Sequence, residues 1–382
     1  MIHAIKATVL TIMATQAHRK TLALILGLLF GMHTVSLLAL ESGGNAGTAG
    51  VARTEQGMAA EDVKLSVSGR IHFNVNVSNF ERSRSFYRLL GFSDSIGYPE
   101  TNTLAVAQAM GINHKYLLRA ELLFQSGFDG GFIDLIEWTN PRDDAPPYPG
   151  LHHLGIASAT LLSSDLDADI AYLESSKVEF TSAPVTRADG SRFVIFKDPD
   201  GTYFELLESE ARSGESPGAV AITGLGKINL NVSDLDRSRA FYEMLGFSSQ
   251  PEERSSGDAG VARALGVDPS YAFRKVLMHH QGDGSAIELT EWQSPRDNSP
   301  PYPAPINHLG IHRIAYSTND LIGDMAKLKA QGVKFVSERA PCCEGPDSEH
   351  GIVVFYDPDG IFFELVDTDE NYWEQVKAAF GK

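Results

Sequence analysis

Two similar stretches decide the fold of this chain: HFNVNVSNFERSRSFYRLLGF at residues 72–92 and KINLNVSDLDRSRAFYEMLGF at residues 227–247. They are copies of one unit, and the copies begin 155 positions apart, at residues 72 and 227. The same spacing relates Arg119 to Arg274 and His153 to His308, so the repeat extends over a whole domain. One copy opens with histidine and the other with lysine, and this difference bears on whether the protein holds a metal ion.

The start of each copy has the alternation of a β-strand. Residues 72–77 place polar side chains at His72, Asn74 and Asn76 and apolar side chains between them, which predicts a half-buried strand. A helix should follow, because Ser78 and Glu81 match the S-x-x-E capping box. The second copy repeats the pattern with Ser233 and Asp236, and Gly91 and Gly246 suit the ends of the two helices.

The remainder of each domain predicts further strands and one more helix. The turn DPDG at residues 198–201 should join two strands, because Pro and Gly supply the dihedral angles of a tight turn. The fold class is therefore α+β, built from four strand–helix–strands units. In the first domain the expected segments are strands near 118–124, 131–138, 193–197 and 202–207 and a helix near 165–175.

The N-terminus differs from the rest of the chain. Residues 21–40 contain no Asp, Glu, Lys or Arg and follow the basic His18, Arg19 and Lys20. This pattern predicts a signal peptide or an uncleaved membrane anchor, and so an exported protein that is secreted or anchored on the periplasmic or extracytoplasmic side; a buried core helix is the alternative. The expected segments are a basic region (1–20), an apolar helix (21–40), a flexible linker (41–66), a first domain (68–210), a linker (211–221), a second domain (222–370) and a C-terminal tail (371–382).

The net charge and the cysteine content disfavour nucleic-acid binding and a fold held by disulfides. The formal net charge is −17, which disfavours binding to nucleic acid. The only two cysteines, Cys342 and Cys343, are adjacent, so they do not form a disulfide framework. A small-molecule ligand is the expected partner, and a homodimer is left open.

The repeated motifs resemble those of the vicinal oxygen chelate superfamily, which includes glyoxalase I, bleomycin-resistance proteins and extradiol dioxygenases. The resemblance rests on V-S-x-x-x-R-S-x-x-F-Y-x-x-L-G-F at residues 77–92 and on D-P-D-G-x-x-F-E-L, the end of each domain. It implies tandem pairs of βαβββ units that form cupped sheets. In metal-containing members, a cup holds one divalent ion that chelates a substrate through two neighbouring oxygens.

The resemblance places four ligand positions in each cup. Pairing within the first domain would bring together His72, Asp134, Ser158 and Glu205. Of these, His72, Asp134 and Glu205 are candidate ligands for one Zn, Mn, Fe or Ni ion, and a cup without metal is an equally considered expectation. Taking His153 as a ligand in place of Ser158 requires the alignment with the family to be shifted by about five residues, and the match between the two repeats disfavours this shift. The alternative for His153 and His308 is packing or hydrogen bonding at the entrance of a strand.

The second domain would bring together Lys227, Glu288, Arg313 and Glu364. Ammonium and guanidinium groups have no lone pair for a metal, so Lys227 and Arg313 should neutralise the two carboxylates instead. If units pair across domains, His72 and Asp134 would join Arg313 and Glu364, an arrangement still less suited to a metal.

Other residues are expected to line the cups and contact a small molecule. Repeated asparagines on a strand are costly to bury without hydrogen bonds, and tryptophans commonly form pocket walls. Arginines can bind a carboxylate, although Arg142 and Arg296 more readily brace their loop through Asp143 and Asp297. The candidate substrate-binding residues are Asn74, Asn76, Trp138, Asn229, Asn231, Trp292, Arg119 and Arg274.

Two functional classes follow from the resemblance. The chain is either a lyase- or dioxygenase-type enzyme acting on a small oxygenated molecule, or a metal-free binding and sequestering protein of the bleomycin-resistance type. In an enzyme without metal, acid–base catalysis would fall to Glu205 and Glu364. Ser158, Lys227 and Arg313 favour the binding protein.

Overall fold

A computed structural model describes residues 63–97, 103–125, 132–210, 220–297, 299, 306–341 and 350–369. The predicted apolar helix at 21–40 and the cysteine pair lie outside the described residues. Within them, no helix is both long and apolar enough to cross a membrane.

The described residues form four consecutive units, confirming the α+β expectation. Unit 1 (67–140) contains β1 (Val67–Asn76), α1 (Phe80–Leu89), β2 (Asp94–Gly97), α2 (Leu104–Ala109), β3 (Leu117–Phe124) and β4 (Phe132–Asn140). Unit 2 (155–208) contains β5 (Gly155–Ser163), α3 (Leu166–Ser175), β6 (Val185–Thr186), β7 (Arg192–Lys197) and β8 (Tyr203–Glu208).

The second half repeats this order. Unit 3 (222–294) contains β9 (Ile222–Asn231), α4 (Leu235–Met244), β10 (Phe247–Ser249), β11 (Glu253–Ser256), α5 (Ala259–Leu265), β12 (Ala272–His280) and β13 (Ala286–Ser294). Unit 4 (310–367) contains β14 (Gly310–Thr318), α6 (Leu321–Ala330), β15 (Ala340–Pro341), β16 (Gly351–Tyr356) and β17 (Phe362–Asp367).

The units pair across the two halves of the chain. Sheet A joins units 4 and 1 in the order β15-β16-β17-β14-β1-β4-β3-β2. Sheet B joins units 3 and 2 in the order β10-β12-β13-β9-β5-β8-β7-β6, with β11 beside β12. At the centre of each sheet the first strands of two units run antiparallel, β1 with β14 and β9 with β5. Each sheet therefore needs strands from both halves.

One hydrophobic core holds the two sheets and the four long helices together. It includes Phe73 of β1, Ile228 of β9, Tyr87 of α1 and Phe363 of β17, all at most 1% exposed. The apolar side chains between the asparagines of β1 belong to this core, as the alternation predicts. The polar side chains are buried as well, because Asn74 and Asn76 are 0% exposed. The expectation of a half-buried β1 is therefore wrong: both faces are covered.

The helix starts also differ from the prediction. Asn79, not Ser78, caps α1 by accepting a hydrogen bond from the backbone N–H of Arg82, and Asp234, not Ser233, caps α4. Ser78 Oγ instead donates to Asp200 at 2.5 Å. The helix ends follow the prediction, because Gly91 has the positive φ of 89° that glycine tolerates without strain.

Candidate functional site

The face of each sheet opposite the shared core carries polar and charged side chains next to a smaller hydrophobic cluster. We call these faces cup A, on sheet A, and cup B, on sheet B. Cup A contains His72, Asn74, Asp134, Arg313 and Glu364. Cup B contains Ser158, Thr160, Arg187, Glu205, Lys227, Asn229, Lys275 and Glu288.

Strand register places equivalent residues at equivalent points of the two cups. In cup A, Asp134, Asn74 and Arg313 lie side by side on three neighbouring strands. In cup B, the same row is formed by Glu288, Asn229 and Ser158.

A second row lies two residues further along these strands, on the same face. In cup A it is formed by His72, Ala315 and Glu364. In cup B it is formed by Lys227, Thr160 and Glu205. In each cup, one of the four positions at which the resemblance expects a metal ligand is occupied by a cation. In cup A this cation is Arg313, in the first row, and in cup B it is Lys227, in the second row.

Cup A contains a buried ion pair beside a buried imidazole. Arg313 Nε donates to Glu364 Oε2 at 2.6 Å, and Asn74 Nδ2 donates to Asp134 Oδ2. Burial lowers the pKa of His72 to about 4, with Glu364 acting against this shift and Arg313 in favour of it. The imidazole of His72 is therefore neutral at pH 7, and its Nδ1 has no hydrogen-bond partner in the described part of the chain.

The donor set of cup A does not fit a divalent ion. Arg313 stands at the fourth ligand position and has no lone pair to offer, and its guanidinium already engages Glu364. Across the described ranges, no three His, Cys, Asp or Glu side chains are grouped closely enough to hold a metal ion. The predicted set of His72, Asp134 and Glu205 is divided, because Glu205 belongs to sheet B.

Cup B is dominated by cations that converge on two carboxylates. Lys227 Nζ lies 2.7 Å and Lys275 Nζ 3.1 Å from Glu288 Oε2. Arg187 pairs with Glu205, which also accepts a hydrogen bond from Thr160 at 3.1 Å. Lys227 therefore neutralises Glu288, as predicted, whereas the predicted grouping of Lys227 with Arg313 does not occur because they lie on different sheets.

The cations of cup B keep its carboxylates ionised. Burial acts to raise the pKa of Glu288, but Lys227 and Lys275 more than offset it, and the pKa falls to about 2. Burial also acts to raise the pKa of Glu205, but Arg187 and Lys227 outweigh it, so this pKa is lowered too. Both carboxylates are thus charged throughout the physiological pH range.

Four of the predicted ligand-contacting residues are committed to the protein itself. Asn76 Nδ2 donates to the carbonyls of Ile306 and His308, and its Oδ1 accepts from Trp138 Nε1 at 3.0 Å. Asn231 and Trp292 repeat this arrangement in sheet B. These pairs fix the segments that lead into β14 and β5. Asn74 and Asn229 remain in the cups, and Asn229 Nδ2 donates to Ser158 and Thr160.

The predicted arginines lie outside the cups. Arg119 pairs with Glu81 at 2.7 Å and lies over the Phe80 ring. Arg274 pairs with Asp236 at 3.0 Å and Glu252 at 2.9 Å. Arg119 thus ties β3 to α1. Arg274 ties β12 to α4 and to the turn before β11.

The loop residues around the two repeated histidines pair differently from the prediction. Arg142 contacts Asp144 at 2.8 Å rather than Asp143. Asp143 instead lies 3.2 Å from His308 Nδ1, and Asp297 lies 2.7 Å from His153 Nδ1. Both histidines therefore form a hydrogen bond at a strand entrance, which confirms this alternative to a role as metal ligand.

Two cations of cup B were absent from the sequence-based candidates. Lys275 could have been found from the repeat itself, because the equivalent residue of the first copy is Ala120, next to the shared Arg119 and Arg274. A charged residue that occupies a strand position in only one of the two copies indicates that the copies differ in function at that position. Arg187 lies in the loop before β7, where no periodic pattern marks it.

Comparison with known proteins assigns the family. The model of the Glyoxalase/Bleomycin resistance protein/Dioxygenase superfamily matches residues 69–206 and 224–365. Glyoxalase I from Zea mays has a similar fold, with a TM-score of 0.55 and 18% identity over 82% of this chain and 97% of that one; a point mutant of that enzyme also gives 0.55, with 19% identity over 81% and 95%. The uncharacterized protein YaeR of Escherichia coli (strain K12) is 36% identical over 78 residues, and the alignment spans 20% of this chain and 57% of YaeR. Because the family model matches well over half of the residues of this chain, the chain belongs to the Glyoxalase/Bleomycin resistance protein/Dioxygenase superfamily.

Proposed function

We propose that this protein binds a small oxygen-rich anion, such as a carboxylate, in cup B without the help of a metal ion. The observation that carries the proposal is the charge balance of the cup. Three cations (Arg187, Lys227 and Lys275) face two carboxylates (Glu205 and Glu288) on a largely buried surface. A buried cation in excess is costly unless an anion accompanies it, so the cup favours an anionic ligand.

Two further carboxylates stand near the cup but balance it poorly. Glu253 lies 3.4 Å from Lys275, and its side chain is 58% exposed. Asp189 interacts with Arg187 and Lys275, and its oxygen is already engaged by Ser191. Solvent screens such exposed charges, so a ligand anion can replace Glu253 at Lys275 at little cost.

The donors of cup B suit a carboxylate. An ammonium group has three N–H donors, and Lys227 uses one of them on Glu288. Asn229 Oδ1 has no partner among the described residues, so the cup can also accept a hydrogen bond from a ligand hydroxyl. A ligand that combines a carboxylate with a hydroxyl would engage both.

Metal-dependent catalysis is the less favoured alternative because of the donor sets. In each cup a cation occupies one of the four positions at which the resemblance expects a ligand, and that cation is bound to a carboxylate that a metal would need. A lyase- or dioxygenase-type reaction through a chelated ion would require both ion pairs to break. Cup A is the weaker ligand site, since Arg313 is already paired with Glu364 and His72 is neutral.

The test is to measure binding to the full-length chain by calorimetry, using carboxylates and hydroxycarboxylates against their uncharged amides. Lys275→Ala gives cup B the residue of the first copy and should weaken anion binding roughly tenfold or more, as expected for a charge-assisted hydrogen bond. Lys329→Ala removes the same charge from the exposed end of α6 and should change affinity less than about twofold.

Three results would contradict the proposal. Amides could bind as well as the acids, or the two lysine variants could weaken binding equally. Alternatively, elemental analysis could find one equivalent of a divalent ion that is retained by the wild type and lost in Glu288→Gln.

A further inference from the structure

We infer that a second small-molecule site, separate from both cups, lies at the seam between the two sheets and accepts a small primary ammonium compound. The seam pocket is a small cleft that opens to solvent and encloses a volume of about 30 Å³. It forms where β5 and β14 begin, and its lining includes Tyr148, His153, Ile156, Thr202, His308 and Ile311. The inference does not depend on the function proposed for cup B.

Two histidine–aspartate pairs approach the seam pocket from opposite halves of the chain. His153 Nδ1 lies 2.7 Å from Asp297 Oδ2, and His308 Nδ1 lies 3.2 Å from Asp143 Oδ2. Burial acts to raise the pKa of Asp297, but hydrogen bonds from Ser299 and His153 outweigh it and the pKa falls to about 2, so this carboxylate can only accept. Each ring therefore donates from Nδ1, and in the neutral imidazole Nε2 is left as an acceptor.

Within the described part of the chain, the remaining nitrogen of each ring has no protein hydrogen-bond partner and can face a ligand. Among the described residues, no hydrogen bond engages Nε2 of His153 or of His308. The tyrosine ring of Tyr148 stacks on His153 at a centroid distance of 5.0 Å and lies 6.0 Å from His308. The stack restrains the rings, so the pocket has two oriented acceptors backed by carboxylates.

A buried hydroxyl completes the polar lining. Thr202 is only 4% exposed, lines the pocket, and its Oγ1 has no hydrogen-bond partner within the described ranges. An unpartnered buried hydroxyl destabilises a folded protein, so a native structure normally supplies a partner from water or ligand. The corresponding residue in the second DPDG turn is Ile361, which shows that the fold does not require a hydroxyl at this position.

These groups match the chemistry of a primary ammonium. Two imidazole nitrogens and one hydroxyl oxygen provide three acceptors, and an ammonium has three N–H donors. The carboxylates of Asp143 and Asp297 strengthen both imidazole acceptors and favour a positive charge. Apolar side chains such as Ile156 and Ile311 can pack against a short hydrocarbon chain.

The test uses three probes of equal size on the full-length chain: propylammonium, 1-propanol and propanoate. Binding is followed by the Cε1–H signals of ¹³C-labelled histidine, assigned with His153→Gln and His308→Gln. We expect propylammonium to shift the signals of both histidines and to bind at least about fivefold more tightly than either other probe. Stronger binding of the alcohol or of the acid, measured from these two histidine signals, or unchanged signals of both histidines with propylammonium, would overturn the inference; propanoate that binds in cup B leaves both signals in place.

Thr202→Val supplies an independent readout because it removes the hydroxyl without changing the shape of the side chain. It should weaken propylammonium binding at least about fivefold and raise the melting temperature of the free protein, since an unpartnered hydroxyl is gone. Ile361→Val is the matched control at the repeat-equivalent position and should leave binding unchanged. Equal binding to wild type and Thr202→Val, with a well-folded variant, would also overturn the inference.

Discussion

Position 72 and its repeat partner, position 227, show how one site in the fold accommodates different chemistry. His72 is buried and neutral beside the Arg313–Glu364 pair, whereas Lys227 is charged and paired with Glu288 at 2.7 Å. In both cases the carboxylate next to the position is balanced by a side-chain cation. The sequence alone predicts this balance, because lysine and arginine cannot ligate a metal.

The neutral state of His72 should make the protein sensitive to acid. Its pKa is 6.5 in the unfolded chain and about 4 in the folded one, so the unfolded state binds the proton more readily. The corresponding stability is fully present above pH 6.5 and is lost as the pH falls towards 4, by about 3 kcal/mol at most. We expect His72→Gln to lose less stability between pH 7 and pH 4.5 than wild type in urea unfolding experiments.

His114→Gln is the control for this prediction, because His114 is exposed on the same unit. It should lose stability with falling pH to the same extent as wild type. If His72→Gln and wild type show parallel losses of stability, His72 is not the acid-sensitive group.

At the scale of elements, the two family motifs contact each other. Asp200 of the first DPDG turn accepts hydrogen bonds from Ser78 and Arg82, at the start of α1, and Asp198 accepts one from Tyr87 at 3.0 Å. The second copy has the same contacts between Ser233, Arg237 and Asp359. These contacts brace α1 against the last turn of unit 2, and of the second motif only the glutamate, Glu205 or Glu364, belongs to a cup.

Asp200→Ala should be strongly destabilising for this reason. The side chain of Asp200 is 4% exposed and receives the backbone N–H and hydroxyl of Ser78 as well as the guanidinium of Arg82. Its loss leaves the partly buried N–H and hydroxyl of Ser78 without their acceptor, and we expect the free energy of unfolding to fall by about 2 kcal/mol in urea titrations.

Arg82→Gln tests the same cluster from its solvent side. Arg82 is 47% exposed, so its charge contributes little, and the variant should lose less than about 1 kcal/mol. If the two variants cost the same free energy, the salt bridge and not the buried hydrogen bonds holds the cluster.

A strand or a helix end was predictable from the sequence where the residues that determine it are neighbours in the chain. The alternation of β1 and the glycine after α1 indicated a strand and a helix end correctly, because both depend on a few neighbouring residues. The capping residue was missed because Ser78 is bound by Asp200, a residue 122 positions away. Arg142 and Asp143 were paired wrongly for the same reason, since His308 lies 165 positions from Asp143.

The molecule as a whole depends on a pairing that the repeat cannot specify. Units 1 and 2 carry the same strand pattern as units 3 and 4, so pairing within a half and pairing across halves bury equivalent side chains. The structure selects β1 with β14 and β5 with β9, and this choice separates Glu205 from His72 and Asp134. The composition of each candidate site therefore followed from topology, which only long-range contacts decide.

Cutting the chain between its halves should consequently leave the protein in one piece. A protease site introduced within residues 211–219 severs the two halves, but β1 remains hydrogen-bonded to β14, β5 remains hydrogen-bonded to β9, and both pairs lie over the shared core. We expect the cleaved protein to elute in gel filtration, and to weigh by native mass spectrometry, as the uncut chain does, and to separate into two fragments only in denaturant. Separation into two folded fragments under native conditions would show instead that the strands pair within 68–210 and within 222–370.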